Sequence, residues 1–352
     1  MRDFACPHCG QRLAFENSVC LSCSNGIGFD VDLLEFAEVG RDGRTVLEPL
    51  RQMCANLETA GCNWVVTPAS DGSPRLCRSC SLTRTRPADG DPEMSGFEAA
   101  ERAKRRLVVE LLELGLPITD RRTDPRGGLT FDLLSSHQDP VMTGHSDGVI
   151  TLDLAEGDDV HREQLRISMD EPYRTLLGHF RHEVGHYYFG ALARTGADRD
   201  EFESLFGNPD ADYQAALDRH YSQGAPGGWE TDFVSSYATM HPAEDWAETF
   251  AHYLHIRDTV DTAAAFGFAP AGATATSPMA GAGGFTRLVE LWFPLAWSLN
   301  MLNRSMGHHD LYPFVLPPRV LEKMSFVHRL VTAVRAEPHP ALAAVPVPAA
   351  TS

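Results

Sequence analysis

The sequence predicts an α+β protein in which a small cysteine-rich, metal-binding module precedes a mainly helical domain with a small β-sheet. All eight cysteines lie in the first 80 of 352 residues, so the beginning of the chain differs in composition from the rest. Later segments carry apolar side chains at helical spacing, and two short stretches alternate as strands do. We expect the module at residues 1–90, the helical domain at 95–336 and a disordered tail of small residues and prolines at 337–352.

Composition and charge narrow the class of protein. Hydrophobic residues make up 43% of the chain and charged residues 22%, which is typical of a globular protein. The chain has 30 basic and 48 acidic residues, a net charge of −18 that repels phosphate backbones, so we do not expect it to bind nucleic acid as a whole. Residues 1–90 are nearly balanced, with 9 basic and 11 acidic residues. Neither a signal peptide nor a membrane-spanning apolar run is visible, which favours a cytoplasmic protein without a membrane partner.

Two sets of cysteines predict metal sites in the module. Cys6, Cys9, Cys20 and Cys23 form two CxxC pairs separated by ten residues. Each pair directs two thiolates toward one ion, and four thiolates complete the closed tetrahedral shell of a structural zinc site. In a reducing compartment, clustered cysteines favour metal over disulfides, and free buried cysteines are the alternative.

The second set is less regular, because only its last two members form a CxxC pair. It consists of Cys54, Cys62, Cys77 and Cys80. We expect a second structural zinc ion here, since four thiols beside the first site otherwise lack a role. The alternative is that some of them are ordinary core residues.

The helical domain begins with a predicted helix at 96–116, where apolar residues recur among charged ones. Strand patterns follow at 129–134 and 149–154. The second strand can lie at a sheet edge, where an extended peptide could pair with it, or inside the sheet, and the sequence does not decide between these. A low-complexity Ala/Gly loop is expected at 262–284. Further helices are predicted at 171–193, 198–222, 242–257, 285–306 and 318–336.

The segment His182-Glu183-Val-Gly-His186 has the pattern HExxH on a predicted helix. Histidines four residues apart project from one helix face, so both imidazoles can bind the same zinc ion. Glu183 lies on the same side and can take the proton of a water that the ion activates. The motif predicts zinc-dependent hydrolysis and requires a third protein ligand.

A second predicted helix offers that ligand. Glu244 and Glu248 are four residues apart, so one can bind the metal while the other hydrogen-bonds a ligand histidine. The helical spacing is symmetric and does not decide which glutamate does which. A solvated acidic helix face is the alternative interpretation.

Over both domains the chain resembles a bacterial family of zinc-binding metallopeptidases that carry an N-terminal zinc ribbon. The resemblance rests on the segments CPHCG, CNW, CRSC, GHFRHEVGHYY and HPAEDWAETFAHYLH. It implies a zincin-like fold for the helical domain and hydrolysis of a protein or peptide substrate.

The helical domain alone is also similar to gluzincin proteases of the anthrax lethal factor type. In these proteins a tyrosine precedes the ligand glutamate by seven residues, and a further acidic residue follows four positions later. Tyr237, Glu244 and Glu248 match this pattern. The resemblance implies that Glu244 is the third ligand, that Glu248 supports a ligand histidine, and that the Tyr237 phenol donates to the oxyanion. The region between the motifs has no counterpart, so the shape of the cleft does not transfer.

Two functions are consistent with these features. The first is a zinc-dependent metallopeptidase in which Glu183 is the general base for a zinc-activated water. The second is a non-catalytic adaptor in which the zinc ribbon binds a protein or nucleic acid and the zincin scaffold is inactive. The intact HExxH motif with a candidate third ligand favours the enzyme, and a protein partner at the ribbon is compatible with either.

The purified protein is expected to contain three zinc ions per chain, one at each cysteine set and one at the HExxH motif. Elemental analysis after dialysis against metal-free buffer measures this content. A single zinc ion per chain would contradict the assignment of two cysteine sites and one catalytic site.

Overall fold

The computed structural model describes residues 2–137, 139–157, 175–268 and 281–334. Short strands dominate its cysteine-rich beginning. They are β1 Phe4–Ala5, β2 Arg12–Leu13, β3 Gly26–Asp30, β4 Glu35–Val39, β5 Gln52–Met53 and β6 Trp64–Val66, with the short helix α1 Leu57–Ala60 before β6. The first two strands form an antiparallel pair, and the others form a four-stranded sheet in the order β4-β3-β6-β5.

Aromatic side chains form the core of this module. The ring of Phe29 lies 5.0 Å from that of Phe15 and 5.6 Å from that of Trp64, and Phe4 packs edge-on against Phe29 at 5.5 Å. The Asn63 amide donates a hydrogen bond of 2.6 Å to the Phe15 carbonyl. These contacts join the segment of the first cysteine set, which contains Phe15, to that of the second, which contains Asn63 and Trp64.

A second four-stranded sheet has the order β7-β8-β10-β9, with β7 Thr83–Thr85, β8 Thr130–Leu134, β9 Gly144–Ser146 and β10 Val149–Asp153. The possibility that the strand at 149–154 lies at the edge is wrong, because β10 pairs with β8 on one side and with β9 on the other. The turn at Asp147 and Gly148 has positive φ at both residues and reverses the chain, so β9 becomes the edge strand.

Helices make up most of the remaining described chain. They are α2 Met94–Glu113, α3 Leu176–Tyr188, α4 Gly196–Phe206, α5 Tyr213–Gln223, α6 Pro242–Ala265, α7 Gly281–Ser305 and α8 Pro318–Ala333. Within the described ranges, none of these helices combines the length and the apolar character needed to span a membrane. The predicted α+β class, with a strand-rich module before a mainly helical region with a small sheet, is confirmed.

Several helix boundaries differ from the predicted ones for local reasons. Thr175 is extended and its hydroxyl accepts a hydrogen bond from the amide of Gly178, so α3 begins at Leu176 rather than at 171. The helix predicted at 198–222 is two helices, because Gly207 takes a φ of 99° and a proline follows at position 209.

The loop predicted from 262 begins later than expected. Helix α6 continues to Ala265, since three alanines at 263–265 favour helix more than any other residue does. Residues 269–280 of that predicted loop, the positions 171–174 and the predicted tail at 337–352 lie outside the described residues.

The two lysines of the chain are both buried in ion pairs. Lys104 Nζ lies 2.6 Å from Glu101 Oε1 in helix α2, and neither side chain is exposed to solvent. Lys323 Nζ of α8 lies 2.6 Å from Asp245 Oδ2 in the first turn of α6. A compact ammonium group fits these enclosed sites, whereas the planar guanidinium of arginine serves the remaining basic positions of the chain.

Helix α2 connects the cysteine-rich module with the helical region. The Arg105 guanidinium donates hydrogen bonds of 3.1 and 3.2 Å to the carbonyls of Ala60 and Gly61, close to Cys62. One and a half turns later, Glu110 accepts a hydrogen bond of 3.0 Å from Arg181 in α3. Helix α2 therefore links the position of α3 to the module.

The substitution Lys104→Met is expected to lower the free energy of unfolding by about 3–5 kcal/mol, because it leaves the Glu101 carboxylate buried without its cation. Urea denaturation of the zinc-loaded protein, followed by circular dichroism, measures the change. Arg102→Met is the matched control on the same helix, since its pair with Glu98 is about half exposed, and such a pair contributes roughly 0.5 kcal/mol or less. Equal losses in the two variants would contradict the prediction.

Candidate metal centres and catalytic cleft

The structure brings each predicted cysteine set together as free thiols. In the first set, Cys6 Sγ lies 3.8 Å from Cys23 Sγ, and Cys9 Sγ lies 3.7 Å from Cys20 Sγ. Sulfur atoms at the corners of a zinc tetrahedron with bonds of about 2.3 Å are about 3.8 Å apart. The spacing of these sulfur atoms therefore fits a zinc ion at their centre.

The second set is buried throughout and has the same spacing, with 3.6 Å between the sulfur atoms of Cys62 and Cys77. Backbone amides point at its sulfur atoms: the amide of Cys77 donates to Cys54 Sγ at 3.2 Å, and that of Cys80 donates to Cys77 Sγ at 3.4 Å. Such bonds stabilise thiolate charge, so this set also has the donor chemistry of a zinc site.

The HExxH helix α3 packs tightly against helix α6. A Cβ atom at Gly185 would lie 3.1 Å from Ala247 Cα and 3.4 Å from Phe250 Cβ, so a larger residue in the motif would push the helices apart. The indole of Trp246 donates a hydrogen bond of 2.8 Å to the Gly185 carbonyl. This close approach places the first turn of α6 beside the two histidines.

Three side chains converge where the helices meet. His182 Nε2 and His186 Nε2 are 3.2 Å apart, and Glu244 Oε2 lies 3.0 Å from the first and 3.4 Å from the second. Glu244 is buried, so its carboxylate faces the two imidazoles away from bulk solvent. Two imidazole nitrogens and one carboxylate oxygen within 4.8 Å of one another can hold a metal ion, and they match the preferences of catalytic zinc.

The structure places Glu248 differently from Glu244. His182 Nδ1 donates a hydrogen bond of 2.7 Å to Glu248 Oε1, and the Ser235 hydroxyl donates one of 2.6 Å to Glu248 Oε2. Burial by itself would raise the pKa of Glu248, but the hydrogen bond and charge of His182 outweigh it and lower the pKa to about 2. Glu248 therefore orients the histidine ring and stays outside the convergent triad.

Glu183 lines the cleft in front of the triad. Its side chain is buried, and Oε2 has no hydrogen-bond partner among the described residues. A buried carboxylate oxygen without a hydrogen-bond partner lowers the stability of the fold. Proteins keep few such groups, and those they keep often have a function. Because Glu183 also lines the cleft, its carboxylate lies next to the space that a water or substrate would fill.

Two tyrosines lie beside the triad. Tyr237 belongs to a short 3₁₀ turn ahead of α6, and its ring centroid is 6.0 Å from that of His182. Burial raises the pKa of Tyr237, and the negative charge of Glu244 raises it further, so the phenol keeps its proton. Tyr213 donates a hydrogen bond of 3.0 Å to Glu244 Oε1 and thereby orients this carboxylate.

The cleft has a volume of about 280 Å³ and extends from His182 and Glu183 along α6. His252 and His255 line it but do not join the triad, because each lies at least one turn beyond Glu248. His252 Nδ1 and the Tyr312 hydroxyl are hydrogen-bonded at 2.7 Å, and Phe314 packs against the same ring. This end of the cleft is therefore largely aromatic.

Sequence reasoning did not identify four residues of the site. Ser235 and Tyr213 contact the two glutamates, His145 in β9 stacks on His186 with ring centroids 6.1 Å apart, and Lys323 contacts Asp245 beside Glu244. None of them belongs to a recognisable pattern, and each comes from a separate segment. Only Lys323 could have been singled out from the sequence, because it is one of two lysines in a chain whose other basic residues are arginines.

Comparison with known proteins identifies the class. The sequence profile of the family described as "Putative zinc-binding metallo-peptidase" matches residues 93–330, and a zinc-ribbon domain profile matches residues 3–91. The chain belongs to this zinc-binding metallo-peptidase family and carries the zinc ribbon before the peptidase region, as the sequence resemblance implied.

Full-length relatives are found in mycobacteria. Proteins of Mycobacterium bovis and of Mycobacterium tuberculosis strains CDC 1551 and H37Rv are each 59% identical to this chain over 343 residues. The aligned part covers 97% of this chain and 98% of each relative, and all three are described as uncharacterized proteins. No solved structure matches the chain.

The two glutamates of α6 are expected to respond differently to truncation. Glu244→Ala should abolish zinc binding at the triad, whereas Glu248→Ala should weaken it by roughly 10- to 100-fold, because it only frees the His182 ring. Zinc titration in a chelator buffer measures both variants, and Glu290→Ala, an exposed position on α7, is the control. Loss of the ion in Glu248→Ala with retention in Glu244→Ala would reverse the two roles.

Proposed function

We propose that this chain is a zinc-dependent metallopeptidase that hydrolyses peptide bonds, with Glu183 as general base. One observation carries the proposal: Glu183, which has a buried carboxylate oxygen without a partner among the described residues, lines an open cleft together with His182 of the convergent triad. A structural metal site would need neither the free carboxylate nor the cleft. Membership in the metallo-peptidase family supports the same reaction class.

The chain's own residues divide the chemistry among them. Zinc at such a site supplies a Lewis acid and raises the acidity of water. Glu183 takes a proton from the attacking water and delivers it to the leaving amine. Tyr237, which keeps its proton, donates a hydrogen bond to the oxygen that becomes negative as the carbonyl is attacked.

Supporting contacts hold the ligand side chains in one geometry. Glu248 and Ser235 orient His182, and Tyr213 orients Glu244. These groups act on the reaction through the ligands, because Glu248 and Tyr213 are hydrogen-bonded to ligand side chains and Ser235 is hydrogen-bonded to Glu248.

The edge strand β9 is the proposed place for the substrate backbone. Among the described residues it pairs only with β10, and it lies against α3 through the stacking of His145 on His186. An extended peptide can add to such an edge by backbone hydrogen bonds, which carry no sequence preference. A side chain of the same peptide would enter the aromatic end of the cleft at Tyr312 and Phe314. The substrate class is therefore a protein or peptide.

We place this activity in the cytoplasm. The eight thiols are unpaired and grouped in fours, an arrangement that persists in a reducing compartment and is lost to disulfides in an oxidising one.

The substitution Glu183→Gln is expected to abolish peptide hydrolysis while zinc content stays unchanged, because it removes the base and leaves all three ligands. Cleavage of unfolded casein, followed by mass spectrometry of the products, measures hydrolysis, and elemental analysis measures zinc. Glu230→Gln, an exposed glutamate outside the cleft, is the matched control.

Unchanged hydrolysis in Glu183→Gln would rule out the proposed mechanism. Absence of hydrolysis in the zinc-loaded wild-type protein, with a range of unfolded proteins as substrates, would favour the non-catalytic adaptor instead.

A further inference from the structure

A groove rimmed by arginines lies away from the catalytic cleft, at the boundary between the second cysteine set and the segment that leads into β8. Two cavities of about 340 and 440 Å³ form it. They are continuous, because both are lined by Arg75, Leu76, Ser81, Asp120 and Arg122. We refer to this surface as the arginine groove.

The charge of the groove opposes that of the whole protein. Five arginines line it, whereas the chain carries a net charge of −18. They are Arg75, Arg78, Arg84, Arg121 and Arg122. The lining carboxylates already have arginine partners: Asp120 accepts a hydrogen bond of 2.9 Å from Arg122 Nε, and Asp32 lies 3.2 Å from Arg51, which also pairs with Asp30.

Three of the arginines make no ion pair with a carboxylate of the described residues. Arg84 pairs with Asp132, but Arg75, Arg78 and Arg121 contact no carboxylate of the described chain. Arg121 donates only to backbone carbonyls, those of Pro125 and Asp147, and its Nε is buried without an acceptor. Guanidinium groups in this state are suited to bind carboxylate or phosphate through paired hydrogen bonds.

The groove is also held rigid and has an apolar floor. Arg75 and Arg78 flank Cys77 in the CRSC knuckle, so a zinc ion at the second cysteine set would fix the backbone that carries them. The apolar floor is formed by Val31, Val65, Val66, Leu76, Leu82, Ile118 and Leu129, and Leu76 is 44% exposed. A ligand that fits both features carries several anionic groups and at least one apolar group.

We infer that the arginine groove binds an acidic segment of a polypeptide, whose carboxylates contact Arg75, Arg78 and Arg121 while an apolar side chain covers the floor. A short acidic segment of a polypeptide can place all its carboxylates inside the groove. A nucleic acid would extend beyond the groove, where the acidic protein surface repels its phosphates. This repulsion disfavours a nucleic acid as the ligand.

The arginine groove lies at the turn that follows the edge strand β9. Arg121 donates to the carbonyl of Asp147, which belongs to the turn between β9 and β10. His145, two residues earlier, stacks on His186. An acidic region held in the groove therefore lies at one end of the strand beside the catalytic helix. Binding at the groove does not itself depend on hydrolysis.

The test measures binding of a fluorescein-labelled peptide of alternating glutamate and leucine by fluorescence anisotropy. The zinc-loaded full chain is used in the Glu183→Gln background, so that hydrolysis cannot contribute. Replacing Arg75 and Arg78 together by alanine is expected to raise the Kd by roughly tenfold or more, since two charge-assisted contacts are lost. Added salt should weaken the wild-type binding.

The double variant Arg41→Ala/Arg44→Ala is the matched control, because it removes the same charge from exposed positions of the same module. The single variant Arg75→Glu repeats the test outside the CRSC knuckle, and unchanged zinc content and circular dichroism establish that each variant is folded. An equal rise in Kd for both double variants would overturn the proposal. So would equal binding of a peptide with glutamine in place of glutamate. Tighter binding of labelled oligothymidine, lost in Arg75→Ala/Arg78→Ala, would replace the polypeptide with nucleic acid.

Discussion

The close packing of α3 against α6 at Gly185 is the contact on which the rest of the site depends. Helix axes approach this closely only where one partner has no side chain and the other has a small one, and Gly185 faces Ala247. The Trp246 indole locks the contact by its hydrogen bond to the Gly185 carbonyl. Since Glu244 lies one turn before Ala247, the same packing determines how far its carboxylate stands from the two histidines.

Buried charges keep α6 in this position. Arg181, next to His182, pairs with Glu110 of α2 at 3.0 Å and with Asp258 of α6 at 2.9 Å. Lys323 of α8 contacts Asp245 and also donates to the Asp232 carbonyl at 2.7 Å, in the segment that leads to the Tyr237 turn. Buried ion pairs add little net stability, but loss of one partner is costly, so they restrict the helices to one arrangement.

The zinc ribbon and the peptidase region are joined through shared structure. Strand β7 pairs with β8 although the two strands come from opposite sides of the Pro-rich segment near residue 90, and α2 contacts both the carbonyls near Cys62 and Arg181 of α3. A metal ion in the second cysteine set would therefore help to fix α2, which contacts Arg181 of α3. It would also position the rim of the arginine groove, so one ion would serve both the helix and the groove.

The sequence by itself determined the features that depend on local spacing. Two CxxC pairs and HExxH can be interpreted without a structure because turn and helix geometry place residues three or four apart on one side. The α+β class follows from the same periodicities. The sequence Gly-Asn-Pro at Gly207 is also typical of a turn between two helices. The apolar residues at helical spacing on both sides favoured one continuous helix instead.

Tertiary structure decided between alternatives that the spacing of residues along the chain does not distinguish. Glu244 and Glu248 are equivalent on a helix, and only the approach of α3 at Gly185 brings Glu244 to both histidines and Glu248 to the outer nitrogen of one. Strand β10 could be at an edge or inside the sheet until the hairpin at Asp147 and Gly148 placed β9 beside it. Ser235, Tyr213 and His145 reach the site from segments far apart in the chain, where no periodicity links them, because packing alone determines which distant side chains meet.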